Sequence, residues 1–458
     1  MTSSFSTGLN LLIHYLTPGS RYCIMKNRKK INIITLGCSK NVVDSEKLLR
    51  QIEAGGYNIA YNESDNTAST VIINTCGFIN DAKEESIDTI LRYVNEQKSG
   101  KIDNLYVMGC LAERYMDALR TEIPEVKKYF GVNHMEDVLN ELGIRQNEKL
   151  LNERKLTTPE HYAYLKIAEG CDRICSFCAI PAIRGQYISR PVEEILEEAS
   201  KLAEKGVKEL ILIAQDLSYY GLDRYKKQML PSLVNELLRI KNFEWIRLHY
   251  LYPSNFPWDL VEVIRDNPRV CRYIDIPVQH ITDRMLKSMR RSHNKNETLT
   301  ILNRLREEIP ESVIRTTLIA GHPGETEEDF YELKKFIEDF RFDRLGVFKY
   351  SHEEGTYSFR EFSDEIPDDI KESRVAELME IQQNISSELN EKLVGKIFKV
   401  LIDRREGEYY TGRTEFDSPE VDQEVLIPAT YKLKPGSFYQ VLINRSTDFD
   451  LIGIPQNI

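Results

Sequence analysis

The 458-residue chain has no apolar run approaching the ~20 residues needed to cross a bilayer. It also lacks an excess of positive charge: 61 Lys and Arg stand against 72 Asp and Glu, a formal net charge of −11. Such a chain is not suited as a whole to gripping phosphate backbones, although a local basic patch is compatible with it. A convincing secretion signal is missing too. The short apolar stretch Leu11 to Leu16 has no basic residue before it and no small-residue cleavage site after it. Met25 then opens Met-Lys-Asn-Arg-Lys-Lys, directly before the first apolar run. Met25 is therefore the expected start and residues 1–25 a non-native or disordered extension, with no role for Cys23. Nor is there a disulfide framework. Eight cysteines in so long a chain, three of them crowded together, fit a reducing cytoplasm.

The crowded three are Cys171, Cys175 and Cys178, in Gly170-Cys-Asp-Arg-Ile-Cys-Ser-Phe-Cys-Ala-Ile-Pro181. Three thiolates on one short loop can hold three irons of a 4Fe-4S cluster and leave the fourth iron open to a substrate. A structural zinc site is the competing reading. Zinc wants a fourth Cys or His nearby, yet His161 precedes the loop by ten residues and His249 lies far downstream. With Phe177 before the third cysteine, the loop resembles the signature of the radical S-adenosylmethionine (SAM) superfamily. That resemblance implies an open iron that chelates the amino and carboxylate groups of SAM.

Three parts are expected along the chain. In residues 30–147, strand-like runs at 31–36, 69–74 and 104–108 alternate with helical patterns at 42–53, 82–95 and 112–122. This order implies an open parallel sheet covered on both faces. Cys38, Cys76 and Cys110 each follow one of these strands, beside a glycine. Ligands bind at that edge of an open α/β sheet, so three separated cysteines can converge on one crevice as a second three-thiolate cluster site. The competing reading is three small buried hydrophobes. A polar segment, Arg145 to Glu160, reads as a linker, with 148–162 as its domain-level bounds. Residues 163–390 carry six strand-like runs (164–168, 209–215, 245–251, 273–278, 313–320 and 345–350) separated by helical stretches. These suggest a partial (βα)6 barrel, with the Cys171 loop at its mouth. After a long helix through 373–390, residues 391–458 read as a small antiparallel β-barrel, from short runs at 398–403, 409–414, 424–427 and 438–444.

Other strand ends face the same mouth. Thr317-Leu-Ile-Ala-Gly-His-Pro-Gly-Glu325 resembles the Gly-x-Ile-x-Gly-type segment that lines the adenine in the superfamily, with Thr317 in the first place. Its glycines would let backbone approach a ligand closely; an ordinary strand-to-helix turn is the alternative. Gln215-Asp216 and Gln279-His280 end two further strands. Phe177, Gln215, Gln279, Ile319 and Gly321 are the expected SAM contacts. His280 equally suits a supporting role, and no general base is assigned.

Taken together, the motifs resemble the radical SAM methylthiotransferases over nearly everything after Met25. The resemblance implies a flavodoxin-like N-terminal domain, a radical SAM barrel and a C-terminal TRAM domain. It implies two 4Fe-4S clusters, one on Cys171, Cys175 and Cys178 and one on Cys38, Cys76 and Cys110, with SAM as cofactor. The implied reaction replaces C–H by C–S–CH3, using a SAM-derived 5′-deoxyadenosyl radical and a sulfur carried on the second cluster. Leu36-Gly-Cys-Ser-Lys-Asn-Val-Val-Asp-Ser-Glu46, Asn74-Thr-Cys-Gly-Phe-Ile-Asn-Asp-Ala-Lys-Glu-Glu-Ser-Ile87, Tyr273-Ile-Asp-Ile-Pro-Val-Gln-His280 and Ser288-Met-Arg-Arg291 are similar to the branch that modifies a ribosomal protein. That branch acts on the β-carbon of an aspartate in small-subunit ribosomal protein S-twelve, free or in the assembling subunit. It draws electrons from a donor such as flavodoxin or ferredoxin, and a monomer is expected. The alternative is a tRNA methylthiotransferase acting on a modified adenosine next to the anticodon. A non-catalytic RNA- or ribosome-binding protein with zinc-bound cysteines is the reading from another class. Charge bears on the choice: residues 392–450 hold nine Lys or Arg and ten Asp or Glu, and 406–424 is an acidic stretch. This suits a basic protein partner better than RNA, unless the charge is only a solvated surface.

Overall fold

A computed structural model describes residues 27–64 and 67–456. The expected extension, residues 1–25 with Cys23, lies outside the described residues. The N-terminal part is one parallel sheet of β1 (Asn27–Thr35), β2 (Asn58–Tyr61), β3 (Ala68–Thr75), β4 (Asn104–Gly109) and β5 (Lys128–Tyr129), in the order β2-β1-β3-β4-β5. That is the flavodoxin strand order. Val71 and Ile73 point into one apolar core and Ile72 into another, so β3 reads as an unbroken apolar run because both its faces are covered. Helix α1 (Ser39–Ala54) covers one face; α2 (Asn80–Lys98) and α3 (Cys110–Glu122) cover the other. The edge strands β2 and β5 escaped sequence reading because they span only four and two residues.

The central part holds β6 (Tyr162–Lys166), β7 (Ala168–Glu169), β8 (Ile188–Ser189), β9 (Glu209–Ile213), β10 (Trp245–Leu248), β11 (Tyr273–Asp275), β12 (Val313–Ala320) and β13 (Arg344–Lys349). β6, β9 and β10 form one parallel sheet; β11, β12 and β13 form another. The two are stitched where Leu251 N donates to Asp275 O at 2.8 Å and Cys271 N to Ile246 O at 2.9 Å. Six strands thus follow in chain order round an incomplete barrel. Leu210, Leu212, Ile246 and Leu248 face its helices, while the alternating Tyr162, Tyr164, Ile211 and Ile213 face inward and pack against Val43 of α1. β7 and β8 make a two-residue antiparallel ladder that brackets the Cys171 loop.

The last part closes a barrel of β14 (Ile397–Glu406), β15 (Tyr409–Arg413), β16 (Val425–Pro428), β17 (Phe438–Ser446) and β18 (Leu451–Pro455), in the order β14-β15-β16-β18-β17. Against the antiparallel expectation, the β16–β18 pair is parallel. Five strands force this, since direction cannot alternate all the way round a ring of odd number.

The acidic stretch is only partly surface, so its charge is a weaker reason for a protein partner than composition suggests. Two of its carboxylates, Asp417 and Asp422, enter the incomplete barrel and meet arginines there. Asp417, fully buried, lies 2.6 Å from Arg344. Asp422 accepts from Tyr273 OH at 2.7 Å and sits 3.5 Å from Arg315. Arg413 reaches Glu209 at 2.8 Å and Asp403 at 2.6 Å, and Glu209 also takes Arg247 at 2.7 Å. Of the carboxylates in the stretch, only Glu406, Glu408 and Glu420 are exposed. Buried guanidiniums require counter-charges, and this segment supplies them. The polar linker is likewise a packed strap: buried Arg154 lies 3.1 Å from Glu46 on α1 and 2.9 Å from Glu198 on the helix Val192–Glu204.

Replacing Glu209 by Ala leaves Arg247 without a carboxylate partner among the described residues and Arg413 with Asp403 alone. The expected cost is about 3–5 kcal/mol, read as a lower midpoint in urea unfolding; an unchanged midpoint would show that these charges do not hold the last barrel to the central one.

Candidate active site

Cys38 immediately precedes α1, Cys76 follows β3, and Cys110 opens α3 directly after β4. β1, β3 and β4 are neighbours, so the three thiols share one edge of the sheet, beside the point where strand order reverses. Glycines let these turns close on one another. Gly37 has φ +85°, and a Cβ there would stand 2.7 Å from Cys76 Cβ. A Cβ on Gly77 would meet Leu111 Cα at 2.7 Å. Asn41 pins the crevice: its Nδ2 donates to Leu36 O at 2.8 Å and Thr75 O at 3.1 Å, and its Oδ1 accepts from Arg184 Nη2 at 2.7 Å. Burial pushes the Cys76 and Cys110 thiols up, Cys110 to about 12. Cys38 is exposed. Thiolates are the ligating form, so metal binding at the buried pair would be coupled to proton release.

The Cys171 loop is fixed from below by the β7–β8 ladder. Gly170 has φ +74°, and a Cβ there would stand 2.0 Å from Gln186 O. Cys171 N donates to Gly185 O at 3.1 Å, and Ser176 N to Met289 O at 2.9 Å. Arg291 Nη1 donates to Cys175 Sγ at 3.3 Å. Its guanidinium and that of Arg173 sandwich the Tyr252 ring, at 4.2 and 3.9 Å from the centroid. Donors and charges of this kind, just outside the ligands, tune a cluster's potential. Burial raises Cys171 to about 12 and raises Cys178 as well. Among the described residues, no three His, Cys, Asp or Glu side chains converge on a single-ion position.

The expected SAM contacts are placed unevenly. Phe177 packs with Met289, Ile319 and Tyr350, which brings two of them together. Gln215 Oε1, Asp216 Oδ1 and Gln279 Oε1 are buried beyond strand ends and have no hydrogen-bond partner among the described residues. Buried acceptors call for a donor, and a ligand bearing ammonium and hydroxyl groups, as SAM does, fits that demand. Gln279 holds φ +72°, the kind of backbone strain that gathers at ligand sites. Gly321 also meets a packing need. At φ +81°, a Cβ on it would stand 2.4 Å from Lys371 Cγ, so its missing side chain makes room for the helix Asp368–Glu391. His280 Nδ1 accepts from Ile281 N at 2.9 Å and Thr282 N at 3.2 Å, and burial lowers it to about 3, so the ring is neutral.

Sequence reading missed Arg184. It ends the helix Ile180–Arg184, six residues past Cys178, and is buried. It reaches Asn41 at 2.7 Å, Asp44 at 3.3 Å and Glu169 at 2.8 Å. One side chain therefore ties the loop of one cysteine triplet to the crevice of the other. Arg291 and Tyr252 were missed for the same reason: each reaches the loop from far along the chain, Tyr252 from beyond β10 and Arg291 from the turn after the helix Asp283–Ser288. Replacing Arg184 by Met leaves Asp44 and Glu169 with Lys166 as their remaining partner. The expected result is less iron per chain after reconstitution and a lower unfolding midpoint; unchanged iron would show that the two triplets are held independently.

Comparison with known proteins agrees with this geometry. The Radical SAM superfamily model matches residues 165–337, the model described as uncharacterized protein family UPF0004 matches 30–131, and the TRAM domain model matches 394–455. Ribosomal protein uS12 methylthiotransferase RimO of Bacteroides thetaiotaomicron is 54% identical over 425 residues, covering 93% of this chain and 98% of that one. The protein of the same name from Christiangramia forsetii is 52% identical, covering 95% and 96%. Among solved structures, the radical SAM methyltransferase TsrM of Kitasatospora setae aligns with a TM-score of 0.52 at 14% identity, over 83% of this chain and 79% of that one. The cobalamin-dependent radical enzyme OxsB aligns at 0.50 and 12%, over 78% and 56%. At these identities the two structures speak for the fold alone. The sequence relatives decide the family: this chain belongs to the RimO family of radical SAM methylthiotransferases.

Proposed function

We propose that the protein replaces a C–H bond by C–S–CH3 at the β-carbon of an aspartate in ribosomal protein uS12. In this reading Cys171, Cys175 and Cys178 hold one 4Fe-4S cluster, and Cys38, Cys76 and Cys110 hold another. When bound, the clusters and SAM supply a carbon-centred radical and a transferable sulfur. The observation that carries the proposal is the joining of two three-thiol sites by Arg184, across the mouth of one barrel. Two reactions that must meet on one substrate atom need their sources held at a fixed distance.

The chain's own residues would do the rest. Phe177 and Ile319 form an apolar wall, and Gln215 and Gln279 offer acceptors beside it; Gly321 turns the chain at the end of β12. Arg291 supports Cys175. The parts keep separate tasks: 30–147 the auxiliary site, 163–390 the radical site, 391–458 the small barrel. A flavodoxin- or ferredoxin-type donor would reduce a monomeric enzyme in the cytoplasm.

Anaerobically reconstituted protein should carry about eight irons per chain, the sum of two clusters. Replacing Cys38, Cys76 and Cys110 together by Ala should leave about four irons and SAM cleavage, without a methylthiolated product. Mass spectrometry of uS12 and of digested tRNA, each after reaction, reads the target. A methylthio group on tRNA alone would overturn the proposal.

A further inference from the structure

Lys40 lies in the first turn of α1, two residues after Cys38. Its residue is only 7% exposed, yet among the described residues no carboxylate stands within salt-bridge distance of its ammonium and no acceptor hydrogen-bonds to it. What faces it is the Tyr250 ring, with the ammonium 3.5 Å from the centroid. Tyr250 sits just beyond β10 with φ +65°, an uncommon conformation for a bulky residue. That backbone is held by Tyr250 N donating to Asp275 Oδ2 at 3.0 Å, while Asp275 Oδ1 takes Arg315 at 3.0 Å. Asp275 is thus committed elsewhere, and a strained turn is kept in order to set an aromatic face under a buried cation. An ammonium on so little exposed a residue, without a counter-charge, is costly, and a ring face returns only part of that cost.

The position is telling. Val43, on the same helix, packs on Tyr162, Tyr164, Ile211 and Ile213 inside the barrel. Lys40 therefore stands where the crevice of Cys38, Cys76 and Cys110 meets the inner barrel just beyond β10. The geometry points to Lys40 as a carboxylate-binding subsite: its ammonium pairs with the side-chain carboxylate of the aspartate to be modified, and Tyr250 holds it in place. This rests on the protein-aspartate reading above. The carboxyl carbon is one bond from the reacting β-carbon, so one ion pair at Lys40 would set that carbon between the two sites. An adenine ring brings no anion to the reacting position and would leave the ammonium unanswered. The rival role for the same charge is to balance an anionic cluster on Cys38.

A binding cycle separates these. The probes are full-length uS12 and its Asp→Asn variant at the residue that product mass spectrometry identifies. Each is titrated into reconstituted wild-type enzyme and into K40M and K40Q, with iron and sulfide measured on every sample. Loss of a charge-assisted pair should weaken uS12 binding by about tenfold or more. The Asp→Asn substrate should lose as much with wild type, and the two changes together should cost no more than either alone. Iron should stay at the wild-type level. Equal affinity of wild type and K40M for uS12, or equal further losses for both substrates, overturns the subsite. Lost iron with unchanged affinity overturns it in favour of the cluster-balancing role. Absence of any product on uS12 from wild type would sink the parent reading and the subsite with it; product together with an unmoved K40M affinity sinks the subsite alone.

Discussion

The incomplete barrel has an interior lined by guanidiniums, and the rest of the molecule is arranged to neutralise them. Arg247 is buried there, Arg344 is half-buried, and Arg315 stands on the neighbouring strand. Counter-charges come from the barrel itself, as Glu209 and Asp275, and from the last domain, as Asp417 and Asp422. Burying ion pairs is rarely a gain over apolar packing, but removing one partner is severe. Such a network therefore fixes where the small barrel sits more than it adds to overall stability. An open barrel would otherwise expose its inner wall; here α1 fills one side and residues 413–422 fill the other.

That arrangement sets the geometry of the chemistry. α1 is held against the barrel by Val43 and by the ion pair between Asp44 and Lys166. It carries Cys38, Lys40 and Asn41 at the end that faces the barrel mouth. Arg184 then joins Asn41 to the turn after Cys178. The same contacts that close the barrel therefore set the two thiol triplets beside each other. A rigid relation between them is what two linked transfers to one carbon require.

Local signals in the chain carried a great deal. Cys171, Cys175 and Cys178 announce themselves because three ligands on one loop have a fixed spacing. Cys38, Cys76 and Cys110 were legible because each follows an apolar strand and touches a glycine, and parallel strands of alternating α/β order bring their ends to one edge. The six barrel strands were readable as buried runs between helical stretches. The short strands β2, β5, β7 and β8 were not, since two to four residues carry no period. The acidic stretch was visible but its partial burial was not: composition reports charge and says nothing of whether an arginine from another domain lies opposite. The crowding of Gly321 by Lys371 had no signal in the sequence, because the two meet only when the helix Asp368–Glu391 packs on the strand end.

Sequence alone was enough for the class of chemistry, because cluster ligation, strand-end placement and helix–strand alternation are all written within short windows of chain. Arg184, Arg291, Tyr252 and Lys40 were beyond its reach. Each matters through a partner far away in the chain: Arg184 with Asn41, Arg291 with Cys175, Lys40 with Tyr250. Such pairs are set by how three domains pack around one open barrel. A side chain's worth as a counter-charge, a clamp or an unanswered cation exists only once that packing has excluded water from around it.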